Sequence, residues 1–190
     1  LLTTTYSSAN NDGRRNRRVN MTYGPTEVQS ASVPAWSDMG NPPATMAQRL
    51  ESNDPVTSIV AMTLGLGATP TNLCGNPVPV FDGRVRYNLV MTNGQRMNVR
   101  ERAWTGPAIQ CDLRYVELAG GKLKTPEEIE RERADIQWLR ILFAEQADGS
   151  RFPIKIEARS RKRGRVTIEA RQASFTTLPV ATVQATSASR

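Results

Sequence analysis

Period-two alternation governs the second half of this chain. Along Arg84–Thr92, the apolar residues Val85, Tyr87, Leu89 and Met91 alternate with Arg84, Arg86, Asn88 and Thr92. Successive side chains of an extended chain point to opposite sides, so this segment reads as a strand with one face on a core. Ile109, Cys111, Leu113 and Tyr115 share a face in the same way, and Ile136–Ala144 is apolar on both faces, as a central strand is. Phe152–Arg159 and Arg165–Ala173 fit together as a hairpin. Setting Ile156 opposite Ile168 places Ala158 opposite Val166 and Ile154 opposite Ala170 on one face, with Lys155 opposite Glu169 on the other. The expected fold is mainly β: a curved antiparallel sheet, half-barrel or open-barrel-like, with one packed helix near residues 55–65.

That helix opens at Asp54, whose carboxylate can cap the first free amides, with Pro55 in the first helical position and Gly65 and Gly67 ending it. Val56, Ile59, Val60, Thr63 and Leu64 lie along one side, which is expected to pack on the sheet. Asn93-Gly94 predicts a hairpin turn, with Gln95–Trp104 as the return strand. Thr125-Pro-Glu-Glu128 predicts a capping box that opens a short charged helical turn.

Leu1–Ser8, Arg17–Tyr23 and Glu27–Ser32 read as a meander, with a turn at Ala9–Gly13. Val33–Asn53 reads as a linker, or as a strap that Trp36, Met39 and Met46 could lay over an apolar surface. Residues 1–175 are expected to form one β-rich domain lacking further N-terminal strands, since Leu1–Tyr6 resembles the inside of a strand. Thr176–Arg190 is small and polar, the composition of a disordered tail.

The chain has two cysteines, Cys74 and Cys111, 37 positions apart, and no histidine. That spacing fits no zinc or thioredoxin pattern, so the pair is either two separate buried thiols or one disulfide. A disulfide would close a loop worth about 4 kcal/mol by chain entropy and would place the protein in an oxidising compartment. Export is the expectation. No run of eighteen apolar residues occurs, so no transmembrane segment is expected.

Net charge is +7, which invites a nucleic-acid reading. The charge is concentrated in two clusters, Arg14–Arg18 and a hairpin tip of Arg159, Arg161, Lys162, Arg163 and Arg165, and is elsewhere interleaved with acids. Nucleic acid is therefore not the expected partner, and an anionic envelope surface suits the charge as well.

Val80-Phe-Asp-Gly-Arg-Val-Arg-Tyr-Asn-Leu89 resembles the V-F-D-G-x-x-R-Y-D-L run of a bacterial exported family known as domain of unknown function 3108. The capped helix at Asp54, the C-x-x-x-Y strand ending at Tyr115 and the Phe152–Glu157 strand follow in the same order, so the likeness covers about residues 54–172. Asn88 departs from the family's Asp. The resemblance implies a periplasmic or cell-envelope protein of a Gram-negative bacterium, largely antiparallel β. It assigns no reaction, and it marks Asp82, Gly83, Arg84, Arg86, Tyr87 and Tyr115 as motif residues of unknown role.

Three function classes remain. Without histidine, Ser-His and Cys-His nucleophiles and His-based metal sites are excluded within this chain, and no catalytic residue, metal site or cofactor is expected. An Asp82–Asp112 carboxylate pair stays arithmetically open if their strands are neighbours. The leading expectation is a non-catalytic binding or carrier module for an apolar or lipid-like ligand, its cleft lined by Tyr87, Leu89, Met91, Leu113, Tyr115 and Trp36. The alternative is a structural or assembly factor of the envelope, meeting anionic lipid or polysaccharide through the hairpin-tip basic rim, or self-associating through an open sheet edge.

Overall fold

The computed structural model describes residues 4–11, 16–162 and 164–174. It is mainly β, with two antiparallel sheets, neither closed into a barrel. The N-terminal meander of β1 (Thr5–Asn11), β2 (Asn16–Tyr23) and β3 (Val28–Val33) forms a sheet of its own rather than an extension of the large one. The large sheet runs in chain order through β4 (Val78–Phe81), β5 (Arg86–Glu101), β6 (Trp104–Ala119), β7 (Ile136–Glu145), β8 (Arg151–Ser160) and β9 (Gly164–Glu169). The expected turn at residues 9–13 lies partly, and the C-terminal tail of residues 176–190 entirely, outside the described residues.

The hairpin arithmetic holds. Ile156 faces Ile168, Ala158 faces Val166 and Lys155 faces Glu169. Lys155 nevertheless turns its ammonium to Glu101 at 3.2 Å and Glu157 at 3.5 Å. β7 is central, as its two apolar faces require: Ile141 and Phe143 enter one core cluster, and Leu142 and Ala144 enter another.

Asn93-Gly94 is a bulge and not a turn. Thr92 pairs with Asp112 and Gln95 with Gln110, so two residues of β5 stand opposite Cys111 alone. β5 continues to Glu101, and the chain reverses at Arg102-Ala103. The reason is tertiary: a Cβ on Gly94 would lie 2.7 Å from Leu73 Cβ and 2.9 Å from Cys74 Sγ. The incoming cysteine takes the space that a side chain would need.

Three helices occur among the described residues. α1 (Met46–Leu50) falls inside the stretch read as linker, and its N-terminus carries a Thr45–Gln48 capping box. α2 (Pro55–Thr63) begins where expected, with Asp54 Oδ1 accepting from the amides of Val56 and Thr57 at 2.9 and 3.0 Å. Its buried face is the reverse of the expected one. Ser58, Ala61 and Met62 point inward, while Val56 is 59% and Ile59 49% exposed. Both ends fix this rotation. Asn53 bonds to Pro79 and Phe81 of β4, and the Arg151 guanidinium lies against Gly65 and donates to the Leu73 carbonyl. A helix pinned this close to β4 turns the small Ser58 and Ala61 inward together with Met62. α3 (Pro126–Asp135) carries the expected Thr125–Glu128 capping box and links β6 to β7.

Candidate functional site

Cys74 and Cys111 form a disulfide with their Cα atoms 5.9 Å apart, and both are buried. The bridge sits against the β5 bulge and ties the segment after α2 to the middle of β6. Leu89, Met91 and Leu113 pack around it with Ile141, Phe143 and the inner face of α2. Leu89 and Met91 fill a core and do not line an open cleft, while Leu113 belongs to that core and also reaches the wall of a cavity between β6 and β7. Trp36 lies elsewhere: it packs on the cluster built by Val19, Met21, Val28 and Phe81. The guanidinium groups of Arg17 and Arg84 lie over its ring, 3.7 Å and 5.6 Å from the centroid. It straps the small sheet, not the Leu89–Leu113 face.

The motif residues do come together, at the seam between the sheets. Asp82 Oδ1 accepts from the amides of Arg84 and Val85 at 3.0 and 2.7 Å, forming the turn from β4 to β5. Gly83 has a φ of 101°, and a Cβ there would meet Val19 Cγ1 of β2 at 2.5 Å. Ser30 Oγ donates to the Gly83 carbonyl. Arg84 donates through Nε to the Asp38 carbonyl at 3.1 Å and pairs with its carboxylate, and that hydrogen bond chiefly holds the Asp38 carboxyl below its ordinary range.

Arg86 is only 6% exposed and donates to the Tyr87 carbonyl at 2.6 Å and Asn88 Oδ1 at 2.8 Å. Burial lowers its pKa. The rings of Tyr87 and Tyr115 stack with centroids 4.5 Å apart. Burial, aided by Asp82 and Tyr6, pushes the Tyr87 phenol up to about 12, and burial next to Glu117 raises Tyr115 as well. The motif is thus a fastener that docks one sheet on the other.

Asp82 and Asp112 are not partners. Asp112 faces Thr92, six residues along β5 from Arg86, roughly 20 Å at strand rise. Among the described residues no three His, Cys, Asp or Glu side chains converge as metal ligands would.

A second arrangement follows from where two strands part. β6 and β7 pair only from Ala108 opposite Ala144 to Asp112 opposite Arg140. Beyond that point their pairing stops, and a cavity of about 430 Å³ lies between them. Thr92, Asn93, Asp112 and Arg114 line it from the β5–β6 side, Gln137 and Trp138 from β7, together with Leu113 and Leu139. Asp112 accepts from Arg140 Nε at 3.1 Å and from Asn93 Nδ2 at 2.8 Å. Arg140 in turn lies 5.0 Å over the Trp138 ring. The bulge aims Asn93, at a φ of 55°, toward Asp112. The Asp112 charge is answered by Arg140, and Arg114 makes no ion pair among the described residues, so the wedge carries one cation in excess. Sequence reading did not find this site, because nothing in Gln137 or Trp138 signals where pairing with β6 stops.

The basic rim lies at the β8–β9 tip. Arg159 faces Arg165, and both are exposed along with Arg161 and Lys162; Arg163 lies outside the described residues. The rim is partly neutralised. Arg165 pairs with Glu157 at 2.5 Å, and the tip is tied to α3 by the Asp135 backbone carbonyl and Oδ1, which accept from the backbone amides of Arg161 and Lys162 at 2.9 and 3.1 Å.

No family model matches this chain, and neither the curated proteins nor the solved structures searched contain a match.

Proposed function

We propose that this chain is a non-catalytic binding module of an exported protein, which holds an anionic, amphipathic group in the β6–β7 wedge. The observation that carries this reading is the contrast between two surfaces. The apolar face around Leu89 and Met91 is filled core, whereas the wedge, walled in part by Leu113, is an open cavity with an aromatic side chain, amides and Arg114, which makes no ion pair among the described residues. Its volume is in the range of small-ligand sites, and mixed lining of this kind fixes orientation through a few polar groups.

Export to the periplasm or cell envelope of a Gram-negative bacterium belongs to the same proposal. It is supported by the disulfide and by the motif resemblance at Val80–Leu89. No helix among the described residues is long and apolar enough to cross a membrane. The non-catalytic part is supported by the engagement of both candidate carboxylates: Asp82 by turn amides, Asp112 by Arg140 and Asn93.

The shared ligand chemistry is an anion beside an apolar surface, as in an acidic lipid headgroup or an acidic polysaccharide. Binding to phosphatidylglycerol vesicles and to a uronic-acid oligosaccharide distinguishes the two sources. Arg114→Glu and Trp138→Ala should each weaken the retained ligand at least tenfold, while reversing Arg161 and Lys162 at the tip should change it little. If the tip reversal abolishes binding and the wedge variants do not, the rim is the site and the wedge reading fails.

A further inference from the structure

β9 is an edge strand, and its outer edge is self-complementary. The Ala170 amide donates to the Ile154 carbonyl at 2.8 Å, and Ile156 with Ile168 and Ala158 with Val166 continue the same ladder. Antiparallel ladders alternate, so Ile168 and Val166 also turn their backbone groups toward β8. Arg165, Thr167 and Glu169 then turn theirs outward, and no backbone group among the described residues bonds to them. Every residue of β9 is exposed, with Val166 at 47% and Ile168 at 65%.

We infer that this chain forms a two-fold dimer in which β9 pairs antiparallel with β9 of a second copy, with Thr167 on the dyad. In that register outward residues meet only outward residues, as the hydrogen-bonding phase demands. Arg165 stands opposite Glu169 of the second copy, Thr167 opposite Thr167, and Glu169 opposite Arg165. Three such pairs exchange about six backbone hydrogen bonds. Val166 falls opposite Ile168 on the other face, so the apolar surface continues across the junction. Opposite charges, paired threonines and paired β-branched residues are the cross-strand combinations that stabilise a sheet.

The neighbouring registers are worse. A shift of two residues one way brings Arg165 against Arg171, and two the other way carries Glu169 past the end of the strand. A shift of one turns outward groups against inward ones. The charge is also compatible within each chain, because Arg165 already leans on Glu157 of β8 on that same face. The contact is isologous, so it closes at two copies and does not propagate. The proposal is independent of what the wedge binds.

The test uses the oxidised full chain in sedimentation velocity from micromolar to about 1 mM, the range of a small interface. A concentration-dependent dimer is expected; a monomer throughout overturns the inference. Thr167→Pro removes an amide that makes no backbone hydrogen bond among the described residues and should abolish the dimer while leaving thermal unfolding nearly unchanged. Arg165→Glu alone and Glu169→Arg alone should each weaken self-association at least tenfold. Mixed together, the two single variants should restore a heterodimer, because each then presents the charge that the other lacks. Failure of the mixture to associate, or dimerisation of Thr167→Pro like the wild type, rules out this register.

Discussion

Replacing both Cys74 and Cys111 with alanine should cost this protein a large part of its stability. The bridge closes a loop of 37 positions, and the chain-entropy treatment assigns such a loop about 4 kcal/mol of restriction in the unfolded ensemble. Loss of two buried sulfurs from the Met91–Ile141 cluster adds about 1 kcal/mol or more through lost packing. A domain of this size has a total of about 5–15 kcal/mol to lose, so the unbridged chain should stand near the margin of folding. Equilibrium urea unfolding of the oxidised protein and the double variant measures the difference. Because the bridge acts on the unfolded chain, the denaturant slope should also rise when it is removed, as a freer chain exposes more surface. A difference below about 1 kcal/mol with an unchanged slope would show that the bridge does not restrain the unfolded chain.

Other substitutions separate local from tertiary causes. Gly94→Ala should destabilise by about 1–3 kcal/mol in urea, since its Cβ must displace Leu73 or the Cys74 sulfur; a neutral result would mean the bulge is not shaped by the bridge. Val56→Glu on the outward face of α2 should shift unfolding by less than about 0.5 kcal/mol, whereas Ala61→Leu on its inner face should cost about 1–3 kcal/mol. The reverse ranking would restore the apolar stripe as the buried side. The Tyr87 phenol, raised chiefly by burial to about 12, stays protonated in the fold after the unfolded chain has ionised. Its contribution is complete below its ordinary value near 10 and is lost as pH climbs toward about 12. Melting temperature should therefore fall over that interval, less steeply in Tyr87→Phe, and equal slopes for the two proteins would refute the assignment.

Much of the architecture is readable from residues that interact with near neighbours in the chain. The β8–β9 register follows from Ile156, Ala158 and their partners, because a one-residue slip would turn every apolar side chain to water. The caps at Asp54 and Thr125 are legible for the same local reason, whereas the Thr45–Gln48 box that opens α1 lies in a stretch that reads as a linker. The β-rich class also follows from pattern and composition, whereas the two cysteines left a bridge and two separate thiols both open until the fold brought their Cα atoms to 5.9 Å.

What the amino-acid order alone left open was settled by contacts between distant segments. Asn93-Gly94 has the chemistry of a hairpin turn, and only the arrival of Cys74 makes it a bulge. The stripe of Val56, Ile59 and Val60 has the spacing of a buried face, but anchors at Asn53 and Arg151 rotate the helix against it. The carboxylates Asp82 and Asp112 lie apart because the Arg86–Thr92 stretch of β5 separates them, and the wedge exists because β6 and β7 stop pairing at Asp112 and Arg140. Local preference fixes how a segment is built. Where it docks, and therefore which side chains share a cavity, depends on the free energy of packing summed over the whole chain.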